Sequence, residues 1–96
     1  MSELPPLRTE IPAALWKAYR VDLLQLAAEI RAVTDLRELR SVCHKLGGAA
    51  GVYGLPTLQK SAVALEQSAR TVVDEPLRMQ LLETIEHTIR AIDQLD

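Results

Sequence analysis

The 96-residue sequence lacks the residues for a disulfide framework, because Cys43 is its only cysteine. A single cysteine forms neither an internal disulfide nor a thiolate metal cluster, so we expect a chain suited to a reducing compartment. The formal net charge is only −2 at pH 7, which gives the whole chain no strong attraction for nucleic-acid phosphates or anionic lipid. We therefore expect neither nucleic-acid binding nor a membrane-surface function.

Long apolar runs are also missing, because charges interrupt every apolar stretch. The N-terminus has no basic segment followed by an apolar one, so we expect no membrane span, no secretory leader and a cytoplasmic location. Apolar residues make up 48% of the chain and charged residues 25%, a balance that favours a folded core. A chain of this size forms one domain with no deep substrate cleft, and we expect no catalytic pocket of its own.

An alternating strand pattern is absent, and apolar residues recur instead at the three- and four-residue steps of amphipathic helices. The pattern predicts helices over residues 12–33, 35–53, 56–72 and 74–95. The residues expected to face the core are Leu15, Trp16, Tyr19, Leu23, Leu26, Ala27, Ile30, Val33, Leu36, Leu39, Cys43, Leu46, Ala50, Tyr53, Leu58, Ala62, Leu65, Ala69, Val72, Leu77, Leu81, Ile85, Ile89, Ile92 and Leu95.

Four residues mark the predicted helix ends. Asp35 and Asp74 are expected to cap the second and fourth helices, since a side-chain carboxylate accepts from the unpaired backbone donors of a helix start. Gly54 is expected to end the second helix and Pro56 to open the third, which makes those helices antiparallel neighbours. The sequence thus predicts an all-α, antiparallel, up-down-up-down four-helix bundle over residues 11–96, a single domain after a flexible leader at 1–10.

All four glycines lie within eight residues, and three of them fall inside the second helix. Each interior glycine destabilises a helix by about 0.8–1 kcal/mol relative to alanine, so a compensating role is expected. Helical steps from His44 reach an outward face made of Arg37, Arg40, Ser41, Gly47, Gly48 and Gly51. This face has no bulky side chain for nearly two turns after His44, which would let a partner protein approach the imidazole. Alternatively, the glycines let the helix pack closely on its own neighbours.

The segment HKLGGAAGVYGL from His44 to Leu55, with Leu58, Ala62 and Leu65-Glu66 after it, resembles the histidine phosphotransfer (HPt) family of two-component phosphorelays. Its motif is matched at His44, Leu46, Gly48, Ala49, Ala50, Gly54, Leu65 and Glu66. The resemblance implies a four-helix bundle whose His44 accepts a phosphoryl group from receiver-domain aspartates and donates it to them. Response-regulator receiver domains and a hybrid histidine kinase are the implied partners of a monomeric phosphocarrier that has no cofactor. We expect the receiver to bring the magnesium ion and the accepting aspartate.

The sequence departs from the family at Gly47, where a lysine often follows the histidine by three residues. Arg40 lies one turn before His44 on the same face, so we expect Arg40 to meet the phosphate charge. Lys45 is adjacent in sequence but about 100° away around the helix, and it is a weaker candidate, like Arg37. Both arginines could instead pair with acidic side chains of this or the opposing helix.

Reflecting the second helix across the turn after Gly54 places Glu66 roughly opposite His44. A carboxylate there would accept a hydrogen bond from one ring nitrogen and leave the other facing outward. Glu66 could equally be a solvated acid at the edge of the helix.

The remaining candidates for chemistry have simpler explanations. Cys43 is predicted to be a buried apolar thiol, since consecutive helical side chains diverge too far for a dyad with His44. His87 is expected on an ordinary solvated helix face, and two histidines are too few for a structural zinc site, so no metal is expected. One alternative function stays open: an interaction module that binds a receiver or another protein through Ser41 and the glycine-rich face without phosphoryl transfer.

Overall fold

A computed structural model describes residues 4–95, and this range is helical without strands. Its helices are α1 (Ala13–Ala32), α2 (Leu36–Val52), α3 (Pro56–Ser68) and α4 (Glu75–Asp93). Consecutive helices pack on each other and α1 packs on α4, with the α2–α3 pair the most extensive and α1–α2 the least. The predicted antiparallel, up-down-up-down four-helix bundle is confirmed. No helix among these four is both long and apolar enough to cross a bilayer.

The helices α2 and α4 begin at the two predicted capping residues. An Asp35 side-chain oxygen accepts from the backbone N–H of Glu38 at 3.0 Å. Asp74 accepts from the N–H of Leu77 at 3.1 Å in the same way. Each bond satisfies a donor that has no partner inside its own helix, which is why the helices begin where the sequence predicts.

The reversal between α2 and α3 depends on Gly54, which has a positive φ of 69°. The N–H of Leu55 donates to the carbonyl of Ala50 at 2.9 Å, and the N–H of Gly54 donates to the carbonyl of Gly51 at 3.2 Å. These two bonds form a Schellman motif, which satisfies the last carbonyls of α2. Because Pro56 then opens α3 directly, the two helices lie side by side with a fixed register.

Most predicted core residues are buried or partly buried, but two are exposed. Leu15 is 53% exposed, whereas its neighbour Trp16 is 1% exposed and takes the place in the core. Successive helical side chains diverge by about 100°, so only one of this pair can face inward. Val72 was also predicted inward and is 65% exposed. Because α3 ends at Ser68, helical spacing no longer applies at that position.

The three aromatic residues of the chain form one cluster. Tyr19 and Tyr53 stack with ring centroids 4.0 Å apart, and Trp16 lies tilted against Tyr53 at 5.0 Å. Burial raises the pKa of the Tyr19 hydroxyl, helped by Tyr53 and Asp22, so this phenol stays protonated. Its hydroxyl has no hydrogen-bond partner among residues 4–95. The cluster therefore contributes to stability mainly through apolar area and ring stacking.

The chain before α1 lies against this end of the bundle. Leu7 is partly buried against the core, and the Trp16 indole N–H donates to the carbonyl of Arg8 at 3.2 Å. The Arg8 side chain lies over Gly54, where a Cβ would clash with its Cδ. Residues 1–3 of the predicted leader lie outside the described residues. The flexibility of the leader in solution stays a prediction.

Arg78 of α4 closes the C-terminal end of α1. One guanidinium nitrogen donates to the carbonyls of Ile30 at 3.3 Å and Val33 at 2.8 Å, and the group pairs with Glu75. These carbonyls have no partner inside α1, so the arginine satisfies acceptors that the helix leaves open.

We expect Arg78→Met to lower the free energy of unfolding by about 1.5 kcal/mol, because it removes charge-assisted hydrogen bonds at a largely buried position. Urea denaturation measures the change. The control is Arg90→Met, which breaks an exposed pair with Glu86 and should change stability by less than about 0.5 kcal/mol. Equal losses in the two variants would contradict this role for Arg78.

Candidate functional site

His44 lies midway along α2 with 83% of its side chain exposed, and its Nδ1 is 3.3 Å from a carboxylate oxygen of Glu66 on α3. The fixed turn after α2 brings these two helices into register, so the structure places Glu66 opposite the imidazole. A carboxylate beside Nδ1 favours the tautomer with the proton on Nδ1, since the carboxylate would repel a lone pair on that nitrogen. The Nε2 lone pair then faces solvent, which is the arrangement of an accessible nucleophile.

A groove of about 500 Å³ runs between α2 and α3 beside this pair. It is lined by Arg40, Ser41, His44, Val63, Glu66, Gln67 and Arg70. The groove is shallow, and its walls offer two guanidinium groups against one carboxylate. The described part of the chain holds no cluster of three metal-ligating side chains. The arrangement suits transient contact with an anionic group presented by another molecule.

The predicted basic residues have different positions in the structure. Arg40 lines the groove, but one of its nitrogens donates to the carbonyl of Ala69 at 2.7 Å, so it also closes the end of α3. Lys45 is exposed and lines a different groove, between α1 and α2, beside Asp22 and Glu29. Arg37 is exposed outside both grooves. Of the three, the structure brings only Arg40 to His44.

Some of the glycines leave the surface of α2 open, and another lets α2 pack closely on α3. Gly48 and Gly51 are exposed, and a Cβ at Gly48 would meet nothing within 4 Å. Gly47, which we predicted on the outward face, is buried against α3, where a Cβ would lie 3.7 Å from that of Ala62. The outward prediction for Gly47 is wrong, because position 47 turns toward the extensive α2–α3 contact. Gly47 serves close helix packing, and Gly48 leaves the surface beside His44 open.

Cys43 is fully buried and free. Burial, with a smaller effect from the Glu66 carboxylate, raises the pKa of the thiol to about 11. The thiol is therefore protonated near neutral pH and cannot serve as a thiolate nucleophile. The prediction of a buried apolar thiol is confirmed.

His87 differs from its prediction as a solvated helix residue. It is half-buried and lines a cavity of about 200 Å³ at the end of the bundle, together with Pro5, Pro6 and Pro56. The chain before α1 lies across this part of α4, and its irregular sequence gives no periodicity from which that contact could be inferred.

Arg70 is the groove residue that sequence reasoning missed. It lies just beyond the end of α3 and is exposed in the same groove as His44. Helical steps from His44 along α2 cannot reach a residue outside α2. The spacing of Arg70 four residues after Glu66 is only a weak signal, because α3 ends at Ser68 and helical spacing does not extend to position 70.

Comparison with known proteins adds one match. A family model described as Hpt domain matches residues 4–95, a range that covers all four helices, His44 and Glu66. No curated protein and no solved structure matches the chain.

Proposed function

Because the chain belongs to the Hpt domain family, whose members are phosphocarriers of two-component signalling rather than catalysts, we propose that His44 is its phosphorylated residue. His44 accepts a phosphoryl group from the aspartate of one receiver domain and donates it to the aspartate of another. One observation carries the proposal: the His44 side chain is 83% exposed, with Nδ1 3.3 Å from a Glu66 carboxylate oxygen. The outward nitrogen is therefore free to react.

The transfer follows from this geometry. The Nε2 lone pair of neutral His44 attacks the phosphorus of the receiver's aspartyl phosphate. The N–P bond forms as the P–O bond to the aspartate breaks, and the carboxylate leaves with both electrons of that bond. No proton is removed, since Nδ1 keeps its hydrogen and the ring becomes a phosphorylated imidazolium. Glu66 stabilises this cation at 3.3 Å, and the return to a second receiver reverses the same steps.

The surface around His44 supports docking of such a partner. Ser41, Gly48 and Gly51 are exposed on α2 and present no large side chain. We propose a receiver domain and a hybrid histidine kinase as the partners, and a cytoplasmic monomer as the form that meets them. The receiver supplies the magnesium ion and its ligands, because phosphoryl transfer depends on in-line positioning and on neutralising charge.

The direct test is incubation of the protein with a phosphorylated receiver domain of a hybrid histidine kinase. We expect a phosphoryl adduct that is labile in acid and stable in base, mapped to His44 by mass spectrometry. Potassium phosphoramidate is a second donor that needs no partner protein. Receiver binding without an adduct from either donor would refute the phosphocarrier and favour the interaction module.

The role of Glu66 gives a graded prediction. Glu66→Gln should keep the transfer rate within about three-fold, since an amide oxygen can accept from Nδ1–H. Glu66→Leu should slow transfer about ten-fold or more, because no acceptor orients the ring. Rapid-quench measurement of transfer from a phosphorylated receiver gives both rates. Glu83→Leu, at an exposed position of α4, is the control, and wild-type rates in both Glu66 variants would exclude Glu66 from the site.

A further inference from the structure

A cavity of about 200 Å³ lies at the end of the bundle, between the chain before α1, the turn after α2 and the helix α4. Its apolar wall consists of Pro5, Pro6, Pro56 and the buried residues Leu55 and Leu58. Engineered apolar cavities of about 150 Å³ bind benzene, so this volume suits one aromatic ring with a small substituent. The cavity shares no lining residue with the α2–α3 groove, so it is a separate site.

The charge of the cavity wall limits the class of ligand. Among residues 4–95, no aspartate, glutamate, lysine or arginine lines the cavity. An ionic ligand would lose its hydration there without gaining a counter-ion, which carries a large free-energy penalty. Mainly apolar walls with a few polar groups are typical of pockets for small organic molecules. The wall therefore favours a neutral ligand.

Three polar side chains of the cavity lie on α4, and all three can accept a hydrogen bond. The hydroxyl of Thr88 donates to the carbonyl of Thr84, and that of Thr84 donates to the carbonyl of Gln80, both at 2.9 Å. Each hydroxyl oxygen keeps a lone pair. His87 is half-buried, and no hydrogen bond or ion pair within residues 4–95 involves its ring. Because a neutral imidazole has one accepting nitrogen, a ligand with an O–H donor complements this wall.

We propose that this cavity binds a small neutral phenol, that is, a single aromatic ring with one hydroxyl group. The ring packs between the prolines and the apolar wall, and its hydroxyl donates to the imidazole of His87. Because Pro5 and Pro6 belong to the chain before α1, the bound ring holds that segment against α4. The site requires no phosphoryl group on His44, so it does not depend on the proposed function.

NMR titration of the 15N-labelled full chain with phenol tests the site. We expect saturable shifts of the backbone amide signals of Leu55, Thr57 and His87, with a Kd of about 1 mM for a ligand of this size. Benzoate carries the same ring with a negative charge, and it should produce no saturable shift at these residues.

The role of His87 is tested by comparing phenol with toluene, which has no O–H donor. In His87→Leu, the Kd of phenol should rise about ten-fold, because the hydrogen bond is lost. The Kd of toluene should stay the same or fall, since toluene has no such bond to lose. His44→Gln changes an exposed histidine outside the cavity and should bind both ligands like the wild type. Circular dichroism checks that each variant is folded.

Limited digestion with trypsin gives a second readout that needs no variant. The carbonyl of Arg8 accepts from the Trp16 indole, so cleavage after Arg8 requires the chain before α1 to leave the bundle. Phenol bound beneath this segment should slow that cleavage about ten-fold at ten times its Kd. A short unstructured arginine peptide controls for inhibition of trypsin by phenol.

Four results would each overturn the proposal: no saturable shift with phenol at ten times the expected Kd, equal binding of benzoate, an unchanged ratio of the toluene and phenol Kd values in His87→Leu, or unchanged cleavage after Arg8. None of them affects the labelling of His44. Conversely, a wild type that gains no phosphoryl adduct would refute the proposed function and leave the phenol site standing.

Discussion

Replacing His44 with glutamine is expected to abolish the phosphoryl adduct and leave the fold intact. The side chain is 83% exposed, so its removal leaves no cavity and should change the free energy of unfolding by less than about 0.5 kcal/mol. Glutamine keeps a polar side chain of similar reach but has no nucleophilic nitrogen. Labelling by a phosphorylated receiver, followed by acid and base treatment of the product, measures the loss.

The other histidine of the chain is the matched control. His87→Gln should retain full labelling, because His87 lies in the cavity beside the chain before α1 rather than in the α2–α3 groove. Its half-buried position predicts a loss of stability larger than that of His44→Gln. Full labelling of His44→Gln, or loss of labelling in His87→Gln, would move the phosphorylated residue away from α2.

At Gly48, stability and activity are expected to change in opposite directions. A Cβ there meets nothing within 4 Å, so Gly48→Ala should stabilise the protein by up to about 1 kcal/mol by removing the freedom of glycine in the unfolded chain. Gly48→Gln should stabilise it somewhat less. The glutamine side chain, one turn after His44, should obstruct the receiver and slow transfer roughly hundred-fold through poorer positioning.

Melting temperature and receiver-to-protein transfer rate measure the two effects. Ala18→Gln places the same side chain at an exposed position of α1 and should leave the transfer rate unchanged. Phosphorylation by phosphoramidate should also be unchanged in Gly48→Gln, since that donor is too small to be obstructed. A melting temperature of Gly48→Gln well below the wild type would make the glycine a packing contact and refute the open docking face.

The fold could be predicted because its signals are local. The side chains of Asp35 and Asp74 cap helices within three residues of themselves. Gly54 ends α2 because the left-handed backbone there suits a residue without a Cβ. Once that turn is fixed, the register of α2 against α3 follows. The approach of Glu66 to His44 could therefore also be inferred from sequence.

The remaining features depend on contacts between distant segments. From the sequence, Arg40 was expected to meet the phosphate charge, because local residue spacing does not indicate its hydrogen bond to the carbonyl of Ala69, 29 residues away. The position of Arg70 depends on where α3 ends, and the burial of His87 depends on an irregular segment at the other end of the chain. Gly47 was predicted to face outward because helical spacing gives the direction of a residue around α2 but not how much of the surface of α2 is covered by α3.

The turn at Gly54, which two backbone hydrogen bonds close, also limits where residues can be inserted or deleted. His44 and Glu66 lie on opposite sides of that turn. One residue inserted in α2 after His44 would rotate His44 by about 100° around the helix relative to the turn and separate it from Glu66. One residue inserted in the turn itself would break the two hydrogen bonds that fix the register. After Arg70, the length of the connection between α3 and α4 is not limited in this way, because His44 and Glu66 both precede it in the chain. Insertions and deletions should accordingly be tolerated in the α3–α4 connection and eliminated by selection between α2 and α3.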